Sequence, residues 1–273
     1  MGMAVNTNLA SINAQRNLSN TQNDLSKSLE KLSSGLRINR AADDAAGLSI
    51  SEGLRSQSNG YAVAARNAQD GISVIQTAEG ALTEVHSILQ RVRDLAVQSG
   101  NDSNNPEART AIKTEVTALS AELTRIGAST NFGGTELLAG GSLTFQVGAG
   151  STQANDQIDV TLADVSGLGA TIGALNFDSA ASALTTIAAI DTEITNVSSA
   201  RSTLGATQNR LESAINSLNV GRENLTAAES RIRDVDMAAE MVNFTRANIM
   251  SQAGTAMLAQ ANQSNQGVLQ LLG

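Results

Sequence analysis

The chain has 273 residues, 41% of them hydrophobic but only 2% aromatic, with one proline, one histidine and no cysteine, which excludes disulfides, thiolate metal sites, a cysteine nucleophile and histidine-rich metal centres. Apolar content made of Ala, Leu, Ile and Val suits packed helices better than a sandwich or barrel, and a single proline leaves long stretches in which nothing stops a helix. The net charge of −8 opposes a role resting on phosphate backbones, so nucleic acid is not an expected partner.

The amino terminus, MGMAVNTNLASINAQ, has neither a basic leader nor the continuous apolar stretch of a secretory signal peptide, and none is expected. No apolar run in the chain is long enough to span a bilayer, so no membrane partner is expected either. Leu18, Leu25, Leu29, Leu32 and Leu36 then make a heptad-like stripe. Next come two seams of helical spacing, Ile75, Ala78, Leu82, Val85, Leu89, Val92 and Ala96, then Ile112, Val116, Leu119, Leu123 and Ile126. Between them SGNDSNNPEAR, residues 99–109, reads as a loop, with Pro106 suited to the first turn of the following helix. Residues 128–180 lose the heptad and turn to Gly, Ser, Thr, Asn and Asp. Leu143, Phe145 and Val147, and again Ile158, Val160 and Leu162, alternate with polar residues across GAGSTQANDQ, which predicts a β-hairpin or two small strands. With three basic against nine acidic residues over 101–180, this part is expected to be the most exposed.

The clearest pattern follows. Ile187, Ile190, Ile194, Val197, Arg201, Leu204, Gln208, Leu211, Ile215, Leu218, Arg222, Leu225, Glu229 and Ile232 keep alternating steps of three and four, which at ~1.5 Å rise per residue is a coiled-coil-like helix roughly 70 Å long. Residues 235–273 instead spread Val235, Met237, Met241, Val242, Phe244, Ile249, Met250, Met257, Leu258, Val268, Leu269, Leu271 and Leu272 over more than one helix face. The expected fold is mainly α: a long antiparallel coiled-coil-like helical bundle with a small β-hairpin region.

Both ends are interrupted by Asn, Gln and Ser and should order only when packed against something else. One reading pairs them inside a monomeric bundle, but apolar surface all round a terminal helix pair is most simply buried by copies of the same chain, and a head-to-tail contact that does not close generates a helical filament.

Candidate chemistry is thin. His86, in ALTEVHSILQRV, has no second His and no HExxH around it. Neighbouring Asp43 and Asp44 point about 100° apart on a helix and suit capping, turn formation or pairing with Arg37 or Arg40 better than acid–base work. GLGATIG at 167–173 and GAGST at 148–152 lack the Lys of a phosphate loop and the spacing of a dinucleotide fingerprint, and both read as turns. DVD at 234–236 lacks the remaining ligands of a calcium loop. No catalytic residue, cofactor or metal site is expected.

At the two ends the chain resembles a known family. VNTNLASINAQRNL at 5–18 and LSSGLRINRAADDAAGLSIS at 32–51 are similar to the amino-terminal pattern of bacterial flagellins, and SRIRDVDMAAEM at 230–241 and NFTRANIMSQAGTAMLAQANQ at 243–263 to their carboxy-terminal pattern. LQRVRDLAVQSGN at 89–101, NFGG at 131–134 and FQVGA at 145–149 extend the resemblance over nearly the whole chain, which lacks the long variable insertion of larger flagellins. The resemblance implies a filament subunit serving motility and no enzyme. Residues 1–43 and 234–273 would form the inner domain, with the N- and C-terminal helices paired along the filament channel. Residues 44–233 would form a rod-like helical domain with the hairpin near 143–162. The self-assembly residues expected are Leu25, Leu29, Leu32, Leu36, Met241, Phe244, Ile249, Met257, Leu258 and Leu269. Implied partners are the chain itself, the flagellar type III export machinery and its flagellin chaperone, and hook-associated and cap proteins. LQRVRDLAVQ also resembles the segment recognised by Toll-like receptor 5, which points to Arg91 and Leu95, with Glu115 as acidic companion; Asp94 stands where the family often has Glu.

The competing readings are a hook–filament junction protein with the same end helices, and a chemotaxis-receptor signalling hairpin. The hairpin reading would require a transmembrane or membrane-proximal relay and no Gly-rich hairpin.

Overall fold

The computed structural model describes residues 7–272, with side chains described for residues 7–263. Leu269, Val268, Leu271 and Leu272 therefore lie outside the residues whose side chains are described. In chain order the elements are α1 Leu9–Ser34, α2 Ala45–Ser99, α3 Pro106–Ser129, β1 Asn131–Phe132, β2 Thr135–Glu136, β3 Ser142–Gln146, α4 Gln153–Asp156, β4 Gln157–Thr161, α5 Leu168–Gly173, α6 Ala180–Arg233 and α7 Met237–Leu272. The chain forms two compact units, one of residues up to Ser56 and from Asn224 onward, the other Gln57–Glu223.

The Gln57–Glu223 unit holds the apolar core. Every residue of the first α2 seam, from Ile75 to Ala96, is buried, and so are Ile112, Val116, Leu123 and Ile126 on α3. On α6, Ile190, Val197, Leu204, Leu211 and Leu218 are buried at seven-residue intervals, while Ile187, Ile194, Arg201, Gln208 and Ile215 between them are half-buried. That is the heptad asymmetry of a seam with one inner and one flanking row. At ~1.5–3 kcal/mol for each fully buried Leu, Ile or Val, these rows outweigh helix propensities worth under ~1 kcal/mol per residue.

The α2–α3 connection is built as its composition suggests. Asn105 caps α3 by accepting from the Ala108 amide at 2.8 Å, and Pro106 sits in the first turn. The loop is shorter than residues 99–109, because Pro106, Glu107 and Ala108 are already helical. The Arg109 side chain, 11% exposed, reaches back to the Asn101 and Asn104 carbonyls at 3.3 and 3.5 Å and holds the loop against α3.

β3 and β4 pair antiparallel as a hairpin, with Leu143 opposite Val160 and Phe145 opposite Ile158. The hairpin lies on α2 where that helix has no side chain. A methyl group on Gly60 would stand 2.7 Å from the Ala149 side chain, and one on Gly71 would stand 3.2 Å from Phe145 and from Leu211. Between these notches the Asn67 amide donates to the Gln146 carbonyl at 3.1 Å. A second, smaller hairpin, β1–β2, turns through Gly133 and Gly134 at φ 58° and 87°, a left-handed pair that glycine adopts without steric cost.

Two expectations for residues 128–180 fail. The segment is not the most exposed part: Leu137, Leu138, Val160, Ile172 and Phe177 are at most 1% exposed and complete the core that α2, α3 and α6 leave open. Polar composition sets the outer surface of such a segment, whereas its few large apolar residues settle where it docks. GLGATIG is also no turn. It forms α5, with Leu168, Gly169 and Ile172 buried, and Gly169 is required because a methyl group there would meet the Ser120 carbonyl oxygen at 2.5 Å. GAGST does form a bend, closed by the Asp156 carboxylate, which accepts from the Gly150 and Thr152 amides at 3.2 and 2.9 Å.

In the other unit α1 and α7 pack together. Asn8 caps α1 by accepting from the Ser11 amide, and Gly35 ends it in the left-handed conformation at φ 73°. Residues 35–37 run beside 233–235: the Arg37 amide donates to the Arg233 carbonyl at 2.6 Å and the Val235 amide to the Gly35 carbonyl at 3.0 Å. Ile38 is buried beneath this crossing at 1% exposure, and Arg233 pairs with Glu52 at 2.9 Å. Among the described residues no helix is long and apolar enough to cross a membrane.

Candidate assembly surface

The α1–α7 pair is joined by a seam that carries little apolar bulk. On α1 the inward positions Ser11, Ala14, Leu18, Thr21, Leu25, Ser28 and Leu32 alternate steps of three and four, and on α7 so do Glu240, Phe244, Ala247, Ser251, Gly254, Leu258 and Ala261; all are buried or half-buried. Small and polar residues dominate both rows. Leu18 meets the bare backbone of Gly254, where an added methyl group would stand 3.2 Å away, and the Asn8 amide donates to the Ala261 carbonyl at 2.9 Å. In this unit the fully buried apolar residues, among those described, are Ile38 and Ala247.

Apart from Leu18, Leu25, Leu32, Phe244 and Leu258 in these rows, the described large apolar side chains of the pair are exposed. Leu9 is 71% exposed, Ile249 62% and Met257 65%, and Ile12, Leu29, Met237, Met241, Val242 and Met250 are exposed as well. Met241, Val242, Thr245, Arg246, Ile249 and Met250 line a shallow apolar depression of about 460 Å³ on α7. A more polar groove of about 330 Å³, lined by residues including Asp24, Lys27, Lys31, Glu240 and Arg246, runs where α1 meets α7. The pair thus leaves large apolar surface in water while burying Thr21, Ser28 and Glu240 between its helices, an arrangement that makes this surface the candidate for contact with other chains.

Of the residues expected to assemble, Leu29, Met241, Ile249 and Met257 are exposed, whereas Leu25, Leu32, Leu36, Phe244 and Leu258 are half-buried. The heptad-like stripe on α1 thus divides: Leu18, Leu25 and Leu32 face α7 and Leu29 faces away. Leu9, Ile12, Val242 and Met250 belong to the outward surface but are not among the expected self-assembly residues. The signal that finds them is their position off the inward rows, which become legible once Ser, Thr, Gly and Ala are counted as seam residues.

Arg91, exposed on α2, pairs with the half-buried Glu115 of α3 at 2.7 Å. Leu95, one turn along α2 from Arg91, is 2% exposed and packs inside the core. It therefore holds the helix beneath Arg91 rather than presenting a surface of its own.

The remaining candidates have structural duties. Asp44 caps α2 by accepting from the Gly47 amide at 2.8 Å. Asp43 accepts from the Arg40 and Asn39 amides, which hold its carboxyl below the usual carboxylate range. Neither pairs with Arg37 or Arg40: Arg40 bonds Glu30 at 2.9 Å, and Arg37 donates to the Ile232 carbonyl at 2.6 Å. In DVD, Asp236 caps α7 by accepting from the Ala238 and Ala239 amides. His86 contacts Gln90 through Nε2 at 2.9 Å, one helical turn away.

The family model for the bacterial flagellin N-terminal helical region matches residues 5–142, and that for the bacterial flagellin C-terminal helical region matches 187–272. A flagellin of Halalkalibacterium halodurans is 53% identical over 272 residues, which cover 99% of this chain and 100% of that protein. The crystal structure of Bacillus cereus flagellin is similar with a TM-score of 0.50 at 32% identity, over 56% of this chain and 88% of that one. A putative flagellar hook-associated protein from Vibrio parahaemolyticus reaches a TM-score of 0.59 over 70% of this chain and 100% of that one, but at 14% identity, a likeness of fold alone.

Proposed function

The chain belongs to the bacterial flagellin family, and from that premise we infer how its parts divide the work of a filament subunit. It is a structural protein, not an enzyme, and it polymerises into the extracellular filament of the flagellum, which serves motility. The hook–filament junction reading has no better support.

We propose that residues 1–43 and 234–273 form the assembling domain and that residues 44–233 form the stiff body it carries. The observation that carries this is the inversion on α1 and α7, with Thr21, Ser28 and Glu240 buried between the helices and Leu9, Ile12, Met241, Ile249 and Met257 left in water. Neighbouring copies cover those residues in the filament. Before assembly the same surface needs cover of another kind, which supports a flagellin chaperone and export through the type III route. Hook-associated and cap proteins, meeting the filament at its two ends, would use the same apolar rows. Electron microscopy of the purified chain after assembly in salt is expected to show long helical filaments; particles that never elongate beyond short rings would favour the junction protein instead.

The motif around Arg91 supports recognition by Toll-like receptor 5, with Arg91 and Glu115 as the surface and Leu95 as its support from within. Arg91→Ala is expected to weaken binding of the monomer to the receptor by about tenfold, the loss of roughly 1.4 kcal/mol, in a surface-binding assay. Unchanged affinity would leave Arg91 and Glu115 as an ordinary solvated ion pair.

A further inference from the structure

Met237, Met241, Met250 and Met257 are 48%, 49%, 54% and 65% exposed on α7, an unusual placement for side chains that elsewhere fill cores. They lie on different sides of the helix, and Met241 and Met250 also line its apolar depression. No other sulfur is present among the described side chains, since the chain has no cysteine and its remaining methionines lie within the first three residues. Peroxide arriving at the free subunit therefore finds its softest nucleophiles concentrated on the surface that must become dry.

We propose that these four methionines form a peroxide-sensitive modification site that blocks polymerisation of the free subunit and is shielded once the subunit is in the filament. This rests on the assembly reading above. In the reaction a sulfur lone pair attacks one oxygen of hydrogen peroxide. The O–O bond breaks, an S–O bond forms, and after proton transfer water leaves; the thioether is oxidised by two electrons and the peroxide is reduced. The product sulfoxide is a strong hydrogen-bond acceptor in place of an apolar group, and burying it against a neighbouring subunit without a donor opposes association. A sulfoxide is also a substrate for methionine sulfoxide reductases, which makes the block reversible.

The test is an interference experiment on the full chain. Monomer is oxidised to partial extent with hydrogen peroxide and polymerised; filaments are pelleted, and both fractions are mapped by peptide mass spectrometry. Sulfoxide at positions 237, 241, 250 and 257 is expected to be enriched about fivefold or more in the supernatant, the factor that about 1 kcal/mol of lost contact produces. Treatment of that fraction with methionine sulfoxide reductases should return it to the pellet, and preformed filaments exposed to the same peroxide should take up far less oxygen at these positions. Equal sulfoxide in pellet and supernatant, or a supernatant that stays soluble after reduction, overturns the proposal while leaving the assembly reading intact. Untreated protein that forms no filaments overturns the assembly reading and this proposal with it.

Discussion

Removal of residues 240–273 is expected to abolish filament formation completely while leaving a soluble, helical Gln57–Glu223 unit, and removal of residues 1–40 is expected to do the same. The apolar cluster that holds that unit together draws on residues from Ala68 to Leu211 and on none from α1 or α7, so its stability does not depend on either end. The helix that remains after each deletion loses the helix it packs against among the described residues. An isolated helix with so many Asn, Gln and Ser residues is marginal in water, because nucleation is costly and propagation barely favourable. Each truncated chain should therefore show the helicity of the remaining unit by circular dichroism, rapid amide exchange along the surviving terminal helix, and no filaments by electron microscopy. Normal filaments from either truncation would remove assembly from the ends.

The second large effect is internal to α6. Leu204→Ala takes a side chain that is 1% exposed from the inner row of the seam and leaves a cavity between Val197 and Leu211, both of which are fixed by their own contacts in the cluster. Such truncations cost about 2–5 kcal/mol. At a urea dependence of about 1–3 kcal/mol/M the unfolding midpoint should fall by roughly 1 M or more. Leu184→Ala on the same helix provides the contrast: Leu184 is 71% exposed, and its loss should change stability by less than about 0.5 kcal/mol. Equal effects of the two substitutions, measured by urea unfolding of the monomer, would mean that the seven-residue row is not what holds α6 in place. Surface ion pairs such as Arg93 with Asp191, both partners half-exposed, would not mask the difference, since pairs of this kind contribute at most about 1 kcal/mol.

The α2, α3 and α6 seams were legible because a helical period of apolar residues has one simple solution, burial against other such rows, and the two strands β3 and β4 were legible because strict alternation leaves one dry face on each. Two helix starts followed from single residues: Pro106 in the first turn of α3, and Asp44 at the cap of α2. The middle segment was misjudged because average polarity hides a few decisive side chains. Phe177 and Ile172 carry no periodic signal, yet they fill space that only the assembled helices define. The candidate surface was half legible. Apolar residues around α7 announced an uncovered helix, but which of them face α1 depended on Gly254, Ser251 and Ala247 forming a shallow row, a pattern that hydrophobicity does not reveal.

Sequence by itself determined the type of each long element, the absence of cysteine chemistry and the excess of apolar residues at both ends, since these depend on local periodicity and composition. Tertiary structure decided how those residues divide between inside and outside. A close α1–α7 approach needs small side chains at the contact, so Thr21, Ser28, Ala247 and Gly254 took the seam and pushed Leu29, Ile249 and Met257 to the surface. That exchange is a property of two helices packed together and of neither alone.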